Sequence, residues 1–256
     1  MTADCEPSAS DTQRAHATPE ASRNVRAGGN ISGGIIVTGD GNTISPPAAP
    51  AEQPAPAAPL TLLFLAANPG DTDRLRLDEE ARAVDAAIRQ APLRDRFDLR
   101  SHWAVQVDDL QELLLRYQPA IVHFSGHGSP AGAIMLTDAQ RGYAPVAAKT
   151  LAALFGALQA DVRLVVLNAC HSAQQATAIA AHVDCVVGTP DAMTDGGASR
   201  FAAALYRALA YGQSVAAAFE LGLAELALHG EPEPLRPQLY GKADPALVRF
   251  VAAPDC

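Results

Sequence analysis

Beyond residue 59 the chain alternates between short unbroken apolar runs and longer stretches of helical periodicity. Residues 60–67, LTLLFLAA, are continuously apolar, the pattern of a strand buried on both faces. Residues 74–90 put Leu75, Leu77, Ala81, Val84 and Ile88 at helical spacing, which predicts an amphipathic helix. The acidic stretch Asp78–Glu80 reads as its solvated face. Further strands are expected over 97–105, 119–124, 162–168 and 184–189, with a last one over 246–252. Helices are expected over 107–116, 148–159 and 171–181, and one or two over 197–228. Gly132–Leu136 and Tyr143–Val146 are expected to form a hairpin around Asp138–Gly142. Alternating strands and helices predict an α/β domain, with a mostly parallel central sheet covered by helices on both faces. In such sheets, sites form outside the carboxyl ends of the strands.

The pattern changes upstream of residue 60. Residues 1–29 carry few large apolar groups and read as a disordered segment. Residues 30–45, NISGGIIVTGDGNTIS, combine Ile31, Ile35, Val37 and Ile44 with the turn chemistry of Asp-Gly and Gly-Asn steps. They predict a small Gly-rich β-like segment for docking or recruitment, too small to be stable alone. No Lys-Ser/Thr follows its glycines, which excludes a P-loop. Residues 46–59 are a Pro/Ala linker. The main domain spans 60–256.

Composition narrows the function. The chain has 256 residues, 48% of them hydrophobic, and a formal net charge of −9. An acidic balance argues against a nucleic-acid partner, which needs surplus Lys and Arg. No apolar run approaches the ~18 residues of a membrane span, and the polar start lacks a secretory h-region. The expectation is a cytoplasmic protein with no membrane partner. The four cysteines, Cys5, Cys170, Cys185 and Cys256, form no CxxC pair. Cys185 falls in a predicted strand and reads as core.

Two strand ends carry unusual chemistry, IVHFSGHGSP at 121–130 and LVVLNACHSA at 164–173. In the first, Gly126 and Gly128 bracket His127, which lets the backbone turn sharply and leaves the Gly128 N–H free for an oxyanion. In the second, Cys170 follows a buried strand and precedes a helix, whose N-terminus favours thiolate. Neighbouring strands would set the two ends side by side, so that His127 serves Cys170. His171 is the poorer partner, because adjacent side chains diverge at a strand end. His123 lies inside the strand and reads as structural. A zinc site of His123, His127, Cys170 and His171 lacks the usual ligand spacing; no metal is expected.

The pairing of SGHG with NACHS resembles the CHAT domain, a branch of the caspase-like cysteine peptidases that includes metacaspases, separases and gingipains. The resemblance covers roughly residues 60–252, and His127 and Cys170 are 43 residues apart, close to the roughly 50 of caspases. It implies a caspase-like α/β sandwich and a cysteine endopeptidase acting through a thioester, without a cofactor. It places the catalytic histidine on His127, the nucleophile on Cys170 and the oxyanion donors on the N–H groups of Gly128 and Cys170. Metacaspases carry an aspartate two residues before the nucleophile, for a basic P1 side chain. Here that position is the neutral Asn168, which puts strict Arg/Lys specificity in doubt. Asp71, Asp73, Asp138, Asp191 and Asp195 lie in loops able to reach a specificity pocket; Asn168 and Asp191 are the substrate-binding candidates. The resemblance also implies a protein substrate, a role in bacterial defence or regulated proteolysis, and an activating or recruiting protein bound through residues 30–45. The alternative is a non-catalytic caspase-like scaffold in a multiprotein assembly.

Overall fold

Six consecutive buried residues, Leu62–Ala67, make β1 (Leu60–Ala67) the centre of the fold. β1 pairs in parallel with β2 (Phe97–Trp103) on one side and β3 (Ile121–Gly126) on the other. β6 (Leu164–Asn168) then pairs with β3, and β7 (Cys185–Gly188) with β6, also in parallel. β8 (Gln238–Tyr240) closes the far edge antiparallel to β7. The sheet order is therefore β2-β1-β3-β6-β7-β8. A separate two-stranded hairpin, β4 (Ile134–Thr137) and β5 (Tyr143–Val146), stands where the turn chemistry placed it. The computed structural model describes residues 58–158, 161–232 and 236–252. The segments read as 1–29 and 30–45, and the linker up to residue 57, lie outside the described residues, as do Cys5 and Cys256.

Successive strand residues face opposite sides of the sheet, and both sides are covered. Leu62, Phe64, Ile121, Leu164, Val166 and Val187 pack under α1 (Leu77–Arg89), α5 (Asp195–Ala210) and α6 (Val215–Leu228). Leu63, Leu65, Val122, Phe124, Val165 and Val186 pack under α2 (Asp109–Tyr117), α3 (Ala148–Leu158) and α4 (Ala173–Ile179). This is the expected α/β sandwich. The stretch 197–228 resolves into two helices, each started by a hydroxyl: Thr194 Oγ1 accepts from the Gly197 N–H, and Ser214 Oγ from that of Ala217.

The strand expected over 246–252 does not form. Val248, Phe250 and Val251 are buried, but in the helical layer rather than the sheet. Carbonyls of this segment are used elsewhere: the Val215 N–H donates to Val248 O, and the Arg163 guanidinium to Arg249 O. Alternating burial here marks a plug beneath α6. No described helix is long and apolar enough to cross a membrane.

Candidate active site

β3 and β6 are paired neighbours, in register at Ser125↔Asn168. His127 and Cys170 each lie two residues beyond that pair, so the sheet itself brings the two strand ends together. The turn between β1 and α1 adds a third contribution. The His127 ring donates from Nε2 to the backbone carbonyl of Asp73 at 2.6 Å. A carbonyl only accepts, so the proton is fixed on Nε2 and Nδ1 keeps its lone pair in the neutral ring. Of the loop aspartates, Asp73 gives the site its carbonyl, while its side chain is exposed.

Gly126 and Gly128 are glycines for a reason other than a sharp turn. Neither has a positive φ. A Cβ on Gly126 would sit 2.7 Å from Ala67 O, and one on Gly128 only 1.8 Å from Cys170 O. Glycine is required here by the close approach of neighbouring backbone. On its other side Gly128 bridges to Ile134 of the hairpin, where the Met135 N–H donates to His127 O and the Ser129 N–H to Ala133 O. That pattern skips the Gly128 N–H. Among the described residues neither it nor the Cys170 N–H has an acceptor. Two unpaired amides thus lie at the strand ends that carry the imidazole and the thiol.

Beneath them lies a buried polar cluster that overturns one expectation. Asp78 and Glu79 are solvated, but Glu80 is only 5% exposed. Its carboxylate accepts from His123 Nε2 at 2.7 Å, Asn168 Nδ2 at 2.6 Å and Ser125 Oγ at 2.6 Å. The periodicity of α1 places Glu80 beside Leu77, Ala81 and Val84 on the face turned to the sheet. Paired acidic neighbours hid this. His123 is structural, as expected: its Nδ1 bonds the Tyr206 hydroxyl at 3.0 Å and its ring stacks on Phe64. A cleft opens over this cluster, with Cys170, His127, Asn168, Glu80 and Asp195 among the residues lining it.

Asn168 is therefore in the cleft, tied to Glu80. Asp191 is exposed and is not among the lining residues; its Oδ1 caps its own loop through the Ala192 N–H and stands 3.8 Å from His171 Nδ1. His171 occupies the left-handed region at φ 55° and is held at the rim by Asp191. α4 begins only at Ala173, so Cys170 precedes its first turn. Ser172 sets that junction, donating to Leu167 O and accepting from the Thr189 N–H.

The two described thiols differ sharply. Cys185 is fully buried, and burial, reinforced by Asp184, pushes its pKa to about 11. Cys170 is partly exposed at the cleft. Since thiolate is the reactive form, iodoacetamide at pH 7.5 is expected to alkylate Cys170 at least about 100-fold faster than Cys185. Peptide mapping by mass spectrometry reads the ratio; equal rates would mean that Cys170 is neither accessible nor activated.

Comparison with known proteins bears on the family and the fold. The CHAT domain family model matches residues 35–231. A probable protease of Gillisia limnaea is 26% identical over 130 residues, covering 50% of this chain and 23% of that protein. A Roc-COR-CHAT protease from an unknown prokaryotic organism is 26% identical over 155 residues, covering 58% of this chain and 15% of that protein. The chain thus spans less than a quarter of the length of these relatives. Among solved structures, caspase-1 of Spodoptera frugiperda superposes with a TM-score of 0.54 at 13% identity, covering 77% of this chain and 91% of the other. A secreted C11 cysteine protease of Bacteroides thetaiotaomicron, solved with an irreversible peptide inhibitor, gives 0.50 at 13% identity, covering 64% and 57%. At that identity the likeness is one of fold, and the fold is caspase-like.

Proposed function

The chain belongs to the CHAT domain family, and on that premise we propose that it is a cysteine endopeptidase in which Cys170 is the nucleophile and His127 the acid–base. One observation supports the reading: the paired ends of β3 and β6 carry a thiol and an imidazole of fixed tautomer that line one cleft, and the N–H groups of Gly128 and Cys170 at those ends are unpaired. His127 Nδ1 takes the thiol proton, and Cys170 Sγ attacks the scissile carbonyl carbon. The oxygen gains the negative charge and is met by the N–H groups of Gly128 and Cys170. The C–N bond then breaks as Nδ1 returns the proton to the leaving amine, which gives a thioester. Water attacks the thioester, losing its proton to Nδ1; the acid product leaves and the thiol is restored. Throughout, Asp73 O holds the ring through Nε2 and stabilises the imidazolium.

The test is profiling of purified protein against a peptide library, with Cys170→Ala as the control. Cys170-dependent cleavage and a substrate-derived mass adduct on Cys170 are expected. Library peptides left intact, with no adduct, would favour the scaffold alternative. The same reading takes a protein as substrate and gives residues 30–45, joined by the Pro/Ala run, to recruitment of an activator. Removing residues 1–58 is then expected to change cleavage in cells while purified protein keeps its peptidase rate; loss of folding would instead assign the segment to the domain.

A further inference from the structure

The carbonyl that holds the His127 ring lies in a stretch of chain with little support of its own. β1 ends at Ala67, and residues 68–76 cross to α1 with no helix or strand between. Asp73, Arg74 and Arg76 are exposed there. Among the described residues the backbone N–H groups of Asp73 and Arg74 have no acceptor, and the hydrogen bond Asp73 makes is the one its carbonyl accepts from His127. A segment this open samples many conformations unless its ends are fixed. Pro69 is buried and fixes the φ at which the chain leaves the strand. Thr72 closes a turn onto Pro69 O through its N–H and its hydroxyl. Both of these lie before Asp73. After it, the Arg76 N–H reaches Asp195 Oδ2 only weakly, at 3.4 Å.

Asn68 supplies the missing hold. Its Nδ2 donates to Leu75 O at 3.1 Å, and its Oδ1 accepts from the Leu75 N–H at 3.3 Å. One side-chain amide thus pairs both polar backbone groups of a single residue, as a neighbouring strand would. Asparagine suits this role by its inventory, since aspartate lacks the donor and serine carries a single oxygen on a shorter stem. The two bonds close the crossing into a loop whose far end, Leu75, lies two residues past Asp73. The near end is tied a second time: the Gly70 N–H donates to Arg141 O at 2.9 Å, at the tip of the β4–β5 hairpin. The base of the same hairpin holds the histidine backbone, where the Met135 N–H donates to His127 O at 2.9 Å. Backbone and ring of His127 are therefore set from one frame. Asn68 itself does not line the cleft that holds Cys170, so whatever it does for the chemistry passes through Leu75 and Asp73.

We propose that Asn68 is a positioning residue for His127: its amide clamps Leu75 and thereby keeps the Asp73 carbonyl on Nε2 of the ring. Its effect on rate rests on the endopeptidase reading; its effect on the ring does not. Without the clamp the carbonyl drifts, Nε2 loses its fixed acceptor, and the neutral ring carries its proton on either nitrogen. A ring with the proton on Nδ1 has no lone pair there to take one from the thiol. Misplacement of a catalytic group by about 1 Å is enough to cost on the order of 100-fold in rate.

The experiment uses the isotope-labelled full chain as wild type, N68A and H127A, the last to identify the His127 signals among those of seven histidines. Long-range proton–nitrogen spectra in mildly alkaline buffer read which ring nitrogen holds the proton. Wild-type His127 is expected to be protonated at Nε2 and bare at Nδ1. In N68A both nitrogens are expected at averaged, intermediate shifts. Kinetics on a peptide cut by the wild type, with C170A as the blank, is expected to show kcat lowered at least about 10-fold in N68A and KM changed by less than about threefold. A melting curve shows whether N68A folds. If it does not, N68D, which keeps the acceptor for the Leu75 N–H and loses the donor, is measured in its place with the same expectations. An unchanged tautomer or an unchanged kcat in the folded variant overturns the proposal, and so does a loss carried by KM alone. A wild-type His127 without its proton on Nε2 overturns it as well. If no peptide is cut above the C170A blank while the tautomer shifts in N68A, the endopeptidase reading fails and the clamp on the ring stands.

Discussion

Cys170→Ala is expected to lower kcat/KM for any cleaved peptide by at least about 10⁴-fold, with the melting temperature unchanged. Removing a nucleophile ends covalent catalysis and leaves only binding and the oxyanion donors. Cys170 is only partly buried, and none of the hydrogen bonds that join the β3 and β6 ends uses its sulfur. Alanine therefore keeps the fold. His127→Ala is expected to fall nearly as far, and the double variant no further than Cys170→Ala alone, because the two act as one unit. Steady-state kinetics with a circular-dichroism melt separates this from unfolding. Full activity in Cys170→Ala would move the nucleophile elsewhere, and additive losses in the double variant would mean that His127 does not serve Cys170. The double-mutant comparison matters because the imidazole has an additional partner. Its Nε2 is committed to Asp73 O, so only Nδ1 is left for the chemistry.

The sequence revealed the strands best where each was apolar over its whole length. LTLLFLAA and LVVLN are buried on both faces, and nothing but a central strand satisfies such a run. His127 and Cys170 were legible because each follows such a strand, and parallel pairing aligns their ends. What escaped was of two kinds. Glu80 looks like its neighbours Asp78 and Glu79 in a one-dimensional pattern, and only the pitch of α1 turns it to the sheet. Its partners, His123, Ser125 and Asn168, come from two other elements, so no local window contains the cluster. Backbone contributions escaped for a different reason. Asp73 acts through its carbonyl, and any residue type supplies a carbonyl. The loop aspartates were all equal in sequence; the fold separates them, placing Asp195 in the cleft and Asp191 against His171 at the rim. Val248 and Phe250 misled because alternating burial also suits a plug under a helix.

Gly128→Ala is expected to destabilise the domain by about 3 kcal/mol and to lower kcat/KM by more than about 100-fold in the fraction that remains folded. Its Cβ would stand 1.8 Å from the carbonyl oxygen of Cys170 and 2.9 Å from the carbonyl carbon. These are backbone atoms, so no rotamer change relieves the overlap. Either the end of β3 or that of β6 must move. The β3 end is pinned by the Gly128–Ile134 bridge to the hairpin, and the β6 end by Ser172, which joins Leu167 O to the Thr189 N–H. Movement therefore breaks one of these links or shifts the two amides relative to the thiol. A displacement of about 1 Å in such a site costs on the order of 100-fold. For a domain of this size the melting temperature is expected to fall by roughly 10 °C. Loss of stability without loss of specific activity would show that the strand ends can part without disturbing the oxyanion site, and would remove Gly128 from it. Unchanged stability would show that the backbones approach less closely than 1.8 Å implies. Loss of both assigns the second glycine of SGHG a dual role: it lets two strands touch, and it holds one of the two amides that meet the developing charge.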